Sequence, residues 1–165
     1  MNSAHRSLTR RRVPLSAAAA LVLLSAAGCS FTEDSDDSGA PAVPTPSPQA
    51  ASVCRALHKE LPTTVDGLKR RTAGPASDFT AVWGDPAVQL RCGVARPEAL
   101  TASTRSAEVN GVDWLPEKQK HGYRFTTVLR RAYVEVTVPA RYAPEVNPLL
   151  DLAHAVKKTV PKGVA

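Results

Sequence analysis

Two carboxylates stand beside the two tryptophans of the chain. Asp85 follows Trp83-Gly84, and Asp113 precedes Trp114. A carboxylate pair can divide acid and base work at a glycosidic bond, so these four residues are the first candidates for a sugar-binding or glycosidase-like site. A plainer reading competes with it. Asp85 lies before Pro86, which is turn chemistry, and Trp83 alternates with Phe79 and Ala81 as a core residue does. The histidines outside the N-terminal leader, His58, His121 and His154, fall on three different expected elements. No G-x-S-x-G, S-x-x-K or H-E-x-x-H string occurs. No catalytic residue, cofactor or metal site is therefore expected.

The three cysteines carry more information. Cys29 follows Ser25-Ala26-Ala27-Gly28, and behind these lies an apolar run of ten residues, Leu15–Leu24. That run is short of the ~20 residues a membrane-spanning helix needs. With four arginines (Arg6, Arg10, Arg11, Arg12) ahead of it, it reads as a signal peptide over residues 1–28. Small residues ending in Gly before Cys resemble a bacterial lipobox, with Ala26 standing where Leu is commoner. The thiol of Cys29 is the nucleophile that a lipid could alkylate. Two acyl chains such as palmitate, attached there, give stable anchoring where one chain does not. A plain secretory signal is the alternative. Thr9-Arg10-Arg11-Arg12-Val13 loosely resembles a twin-arginine export motif, while an ordinary secretory signal also carries such arginines; the export route stays open.

Charge and composition then divide the rest. Four of the 21 Lys and Arg, and none of the 15 Asp and Glu, precede Cys29; the remainder is nearly balanced. Residues 29–50 hold four acids and four prolines (Pro41, Pro44, Pro46, Pro48) with almost nothing to bury. This segment reads as a disordered acidic and Pro-rich tether. The globular domain is expected over 51–165. Its Lys and Arg doublets (Arg70-Arg71, Arg130-Arg131, Lys157-Lys158) are scattered. Anionic headgroups or wall polymers are the counter-charges available outside a membrane, and nucleic acid is not an expected partner.

Within the domain, Val53, Leu57 and Leu61 mark an amphipathic helix that ends near Pro62, with Ser52 as a possible N-cap. Pro62–Asp78 reads as loop. Val88, Leu90, Cys92 and Val94 share one face of the best strand. Val109-Asn110-Gly111-Val112 signals a type I′ hairpin. Tyr123–Leu129 and Ala132–Val138 form two more strands. Their link, Arg130-Arg131, lacks turn residues. Asn147-Pro148 opens a last helix as N-cap and first residue, with Leu149, Leu152, Val156 and Val160 on one stripe. The pattern predicts an α+β fold: an antiparallel sheet of about five to six short strands, with an N-terminal and a C-terminal helix packed on one face. If Cys29 is acylated, Cys54 and Cys92 remain as an even pair in an oxidising space. They predict a disulfide that staples helix to sheet.

Several strings taken together carry a resemblance. They are Leu61-Pro62 with Val65, Gly67 and Arg70-Arg71; Trp83-Gly84-Asp85-Pro86; Leu90-Arg91-Cys92-Gly93-Val94 with Arg96-Pro97; Asn110-Gly111-Val112-Asp113-Trp114; and Val134–Pro139 with Tyr142. In that order they resemble an actinobacterial family of small secreted lipoproteins, itself a domain of unknown function, across residues 51–158. The resemblance implies a cell-envelope location and no assigned activity, so no catalytic residue carries over. The expectation is a non-enzymatic protein, lipid-anchored on the outer face of the cytoplasmic membrane. It would bind an envelope protein or wall polymer through a surface made of Trp83, Asp85, Arg96, Asn110, Asp113 and Trp114. The alternative is a wall-polymer hydrolase or transferase using Asp85 and Asp113.

Overall fold

The computed structural model describes residues 40–165. The expected leader, Cys29 and the acidic half of the tether lie outside them. In chain order the elements are α1 (Pro48–Glu60), β1 (Thr64–Val65), β2 (Leu68–Arg71), β3 (Thr80–Trp83), β4 (Val88–Cys92), β5 (Ala107–Val109), β6 (Val112–Gln119), β7 (Gly122–Thr127), β8 (Val134–Pro139) and α2 (Asn147–Thr159). A short 3-10 turn, Ala140–Tyr142, follows β8.

All pairings are antiparallel, and the sheet runs β1-β2-β3-β4-β8-β7-β6-β5. Two four-stranded meanders thus meet along β4 and β8. Each opens with the same device at the outer edge of the sheet. Asp66-Gly67 joins β1 to β2 with φ of 47° and 74°, and Asn110-Gly111 joins β5 to β6 with φ of 49° and 79°. Two positive φ angles in succession make the turn whose twist matches that of the flanking strands. The Asn-Gly hairpin is the one expected. The Asp-Gly hairpin lies in the stretch read as loop, and it raises the expected five or six strands to eight.

The core follows from alternation. On β4, Val88, Leu90 and Cys92 are buried while Gln89 and Arg91 are half-buried on the opposite side. On β8, Val134, Val136 and Val138 are buried on the core side, and Glu135 on the opposite side is buried as well. α1 adds Cys54 and Leu57 to that cluster, and α2 adds Leu149, Leu152, Ala153 and Val156. The Cys54–Cys92 disulfide joins α1 to β4, with the Cα atoms 5.5 Å apart. It is the staple expected from the cysteine count.

The sheet curls around α2. The backbone N–H of Asp66 donates to Asp151 Oδ2 at 2.8 Å, and Asn110 Nδ2 donates to the Leu150 carbonyl at 3.4 Å. These turns belong to opposite edges. In a flat sheet of this order they would stand roughly 34 Å apart, at about 4.8 Å per strand step. Both meet neighbouring residues of one helix, so strand twist has brought the edges together over the helix.

Three local expectations are corrected. α1 starts at Pro48, with Ser47 as N-cap: its side chain accepts from the Ala50 N–H, and Ser52 lies inside the helix. The Pro-rich half of the expected tether is packed on the domain. Pro41 and Pro44 are buried, and the Ala42 carbonyl accepts from Arg91 Nε at 2.9 Å. Asn147 is the first residue of α2; the cap position is Val146, with no side-chain capping bond.

The link between β7 and β8 replaces turn residues with a buried arginine. Leu129 takes a positive φ of 56°, and Arg130 turns inward until it is only 4% exposed. Arg130 Nη1 donates to the Val160 carbonyl at 2.6 Å and Nη2 to the Gly111 carbonyl at 3.1 Å. Burial lowers the pKa of this guanidinium, and the charge of Asp113 opposes that shift. One side chain therefore ties the end of α2 to the β5–β6 turn.

Candidate functional site

The six residues expected to share a binding surface do not share one. Trp83 and Trp114 have no exposed surface. Trp83 Nε1 donates to the Pro62 carbonyl at 3.1 Å, so its ring is a core element that fixes the end of α1. Asp85 is exposed in the β3–β4 turn. Asp113 lies on β6, four strand positions away in the sheet and at the opposite end of the strands. Five residue steps alone set them roughly 16 Å apart along the strand direction. They form no carboxylate pair in a common cleft. Arg96 is engaged in its own connection, donating to the Tyr133 hydroxyl at 3.1 Å and the Leu100 carbonyl at 3.0 Å. Asn110 is a turn residue.

The outward face of the sheet is polar but paired within itself. Arg91 Nη1 meets Glu135 Oε1 at 3.1 Å, and Arg124 Nη2 meets Glu117 Oε1 at 3.3 Å. These pairs join adjacent strands, although Arg124 Nε is buried without a hydrogen-bond partner.

A groove of about 240 Å³ lies where β2 stops short of its neighbour. Arg71 pairs with Val82, and beyond that point the chain leaves the sheet, so Thr80 and Ala81 of β3 have no partner from β2. The departing segment from Thr72 to Ser77 forms one wall, and His58 from the last turn of α1 closes one end. The placement of His58 follows from covalent structure. Cys54 is one turn earlier on α1 and is bonded to Cys92 on β4, the strand next to β3. His58 Nδ1 lies 3.3 Å from Asp78 Oδ1. Asp78 is 62% exposed, so this pair orients the ring more than it stabilises the fold.

Arg70 and Arg71 are consecutive on β2 and project to opposite faces of the sheet. Arg70 is half-buried with its guanidinium over the Trp83 ring, 5.9 Å from the centroid, and burial lowers its pKa. Arg71 Nε donates to the Gly84 carbonyl at 2.6 Å. Neither guanidinium has a carboxylate oxygen within 4.0 Å among the described residues. Thr72, Ser77 and Thr80 are among the residues that line the groove. Ser77 Oγ accepts from the Phe79 N–H at 3.0 Å, which leaves its own proton free to donate. No three His, Cys, Asp or Glu residues among the described ones are placed to hold a metal ion.

Sequence reading notes Arg70-Arg71 and His58 separately and does not join them. Asp78, Ser77 and the end of β2 all fall within the stretch Pro62–Asp78 that reads as loop. The signal that could have found the site is the Asp-Gly pair at 66–67: it makes β2 a strand and aligns Arg70 and Arg71 with β3.

A family model described as "Protein of unknown function (DUF3515)" matches residues 13–164. The chain belongs to the DUF3515 family. No curated protein and no solved structure matches it. The DUF3515 match begins at residue 13, so it takes in the apolar run, Cys29 and the Pro-rich segment along with the domain. In this DUF3515 protein the groove, the disulfide and the lipobox-like string lie within one continuous family unit. The family description names no chemistry, so the groove has to be read from its own residues.

Proposed function

We propose that this protein is a lipid-anchored, extracytoplasmic binding module of an actinobacterial cell envelope, held at the outer face of the cytoplasmic membrane by acyl chains on Cys29. The Cys54–Cys92 disulfide carries the reading. Such bonds persist in oxidising compartments and are rare in the cytosol. The string Ser25-Ala26-Ala27-Gly28-Cys29 behind a ten-residue apolar run supplies the anchor. No described helix is long and apolar enough to cross a membrane, which fits attachment through lipid. The docked Pro41–Pro46 segment shortens the leash. About 11 residues, Ser30 to Ala40, connect Cys29 to the packed chain, a reach of at most roughly 40 Å. The domain therefore works close to the membrane face.

The module acts by binding, not by turnover. The separation of Asp85 from Asp113 removes support for the carboxylate-pair reading, and the groove between β3 and residues 72–77 becomes the binding surface. The test is fractionation of cells carrying Cys29→Ala. The wild-type chain is expected in the membrane fraction and the variant in the medium or detached from the membrane. Equal recovery of both from the cytosol would contradict the proposal.

A further inference from the structure

We infer that the link between β7 and β8 is a membrane-docking tip, where Leu129, flanked by Arg131 and Lys162, inserts into an anionic lipid surface. The inference concerns a surface other than the groove. It rests on the lipid-anchored reading only for placing the domain beside a bilayer.

Among the described residues, three that are not glycine have a positive φ: Asp66, Asn110 and Leu129. Asp66 and Asn110 are turn residues whose short polar side chains tolerate the left-handed region. Leu129, at 56°, has no such tolerance, and its backbone is strained there. Its side chain is 65% exposed, so packing within the domain does not offset the strain. An exposed leucine is ordinary by itself. A strained leucine held out into water marks an apolar contact made outside the chain. Val164 extends the apolar tip. It is 81% exposed, and the preceding Gly163 donates its N–H to the Leu129 carbonyl at 3.0 Å.

The flanking charges select lipid as the occupant. Lys162 stands opposite Arg130 in the bridge that joins the link to the C-terminal segment. Arg131 lies against Gly163, where a Cβ would stand 2.9 Å from its Cγ. Both cations are exposed, and neither has a carboxylate oxygen within 4.0 Å among the described residues. Two acids near this end are engaged elsewhere. Glu108 Oε1 accepts from the Gly111 N–H at 2.8 Å, and Asp113 acts on the buried Arg130. An apolar side chain between free cations matches a bilayer, in which anionic headgroups overlie acyl chains.

The position of the tether agrees. Arg91, Glu135 and Thr126 form one row across β4, β8 and β7. The Ala42 carbonyl is bonded to Arg91 at the head of that row. Two strand steps and three residue steps set Leu129 roughly 14 Å from Arg91. The chain that leads back to Cys29 therefore joins the domain near the end that carries the tip. Its extended reach exceeds that distance.

The test uses the full chain isolated from cells in a non-ionic detergent and reconstituted into vesicles with brominated acyl chains. One set of vesicles is phosphatidylglycerol and phosphatidylcholine in equal parts; the other is phosphatidylcholine alone. Leu129→Trp places an indole at the tip, while Trp83 and Trp114 are buried and supply an unquenched background. Lys120→Trp places the same group at the opposite end of β7. In the anionic vesicles Leu129→Trp is expected to be quenched at least about twofold more than Lys120→Trp. Removing the charge, by Arg131→Gln with Lys162→Gln or by phosphatidylcholine alone, should abolish most of that difference. Leu129→Asn is expected to keep or raise Tm, because Asn accepts the left-handed backbone. Equal quenching of the two indoles, a difference that survives removal of the charge, or a Tm lowered by Leu129→Asn overturns the proposal. Flotation of the chain with the vesicles reads the anchor separately, so a failure of docking and a failure of anchoring are told apart.

Discussion

Asp66 and Asn110 lie in turns at opposite edges of the eight-stranded sheet, yet they bond to adjacent residues of α2, Asp151 and Leu150. That relationship makes α2 the clasp of the fold. The helix is held from both sides by turns whose positive φ angles exist because Asp-Gly and Asn-Gly sequences tolerate them. Replacing Asp151 with Ala removes the carboxylate that accepts from the Asp66 N–H. Because the bond is exposed, the expected loss is about 1 kcal/mol, read as a small shift in the urea midpoint with an unchanged slope.

Arg130 closes the same end of the molecule from inside. Arg130→Met keeps most of the apolar stem and leaves the Val160 and Gly111 carbonyls without their donor. Unpaired buried acceptors cost about 1–3 kcal/mol each, so a total near 3 kcal/mol and a fall in Tm of roughly 10 °C are expected. Arg130→Lys should recover part of that loss, since an ammonium still reaches one carbonyl. A thermal melt of the three proteins checks the order.

The disulfide is the largest single contribution that can be removed cleanly. It closes a separation of 38 residues, for which the chain-entropy model gives about 4 kcal/mol. The double variant Cys54→Ala, Cys92→Ala is expected to melt roughly 15 °C lower than wild type. Reductant added during unfolding should bring wild type to a similar midpoint and leave the double variant where it is.

Removal of the chain before Ser47 tests whether the Pro41–Pro46 segment belongs to the domain. Two buried prolines and the Arg91–Ala42 hydrogen bond would be lost. After the ordering entropy of the segment is offset, a net loss of about 1–2 kcal/mol is expected. A truncated chain with the stability of the intact one would show that the segment adds nothing.

What could be read from the sequence, and what could not, follows from how local each signal is. The Asn110-Gly111 hairpin and the alternation on β4 each rest on residues whose neighbours in sequence settle the matter, whereas the pairing of Cys54 with Cys92 across 38 residues follows from the even count left once Cys29 is set aside. Asp66-Gly67 has the same turn chemistry, but its strands are two and four residues long, too short for an alternation to show among Lys69, Arg70 and Arg71. Ser47-Pro48 is a good helix start hidden in a Pro-rich composition. There the entropy argument for disorder outweighed a cap that the packed domain rewards. Trp83 and Trp114 stand beside carboxylates in sequence, yet the alternation of Trp83 with Phe79 and Ala81 places it inside. Arg130 was out of reach, because an arginine standing in for a turn residue works only when Val160 and Gly111 are in place. The groove is likewise non-local. His58 reaches the end of β2 through a disulfide and a strand order that the sequence does not state.

The central claim is that this chain is exported, cleaved before Cys29, acylated there and oxidised at Cys54 and Cys92. The intact mass of the protein isolated from cells without reductant addresses all four steps at once. The account predicts a chain beginning at Cys29 that carries the mass of its acyl groups and gains two hydrogens on reduction. A chain that begins at Met1 or Asn2, with no added mass and no change on reduction, would contradict it.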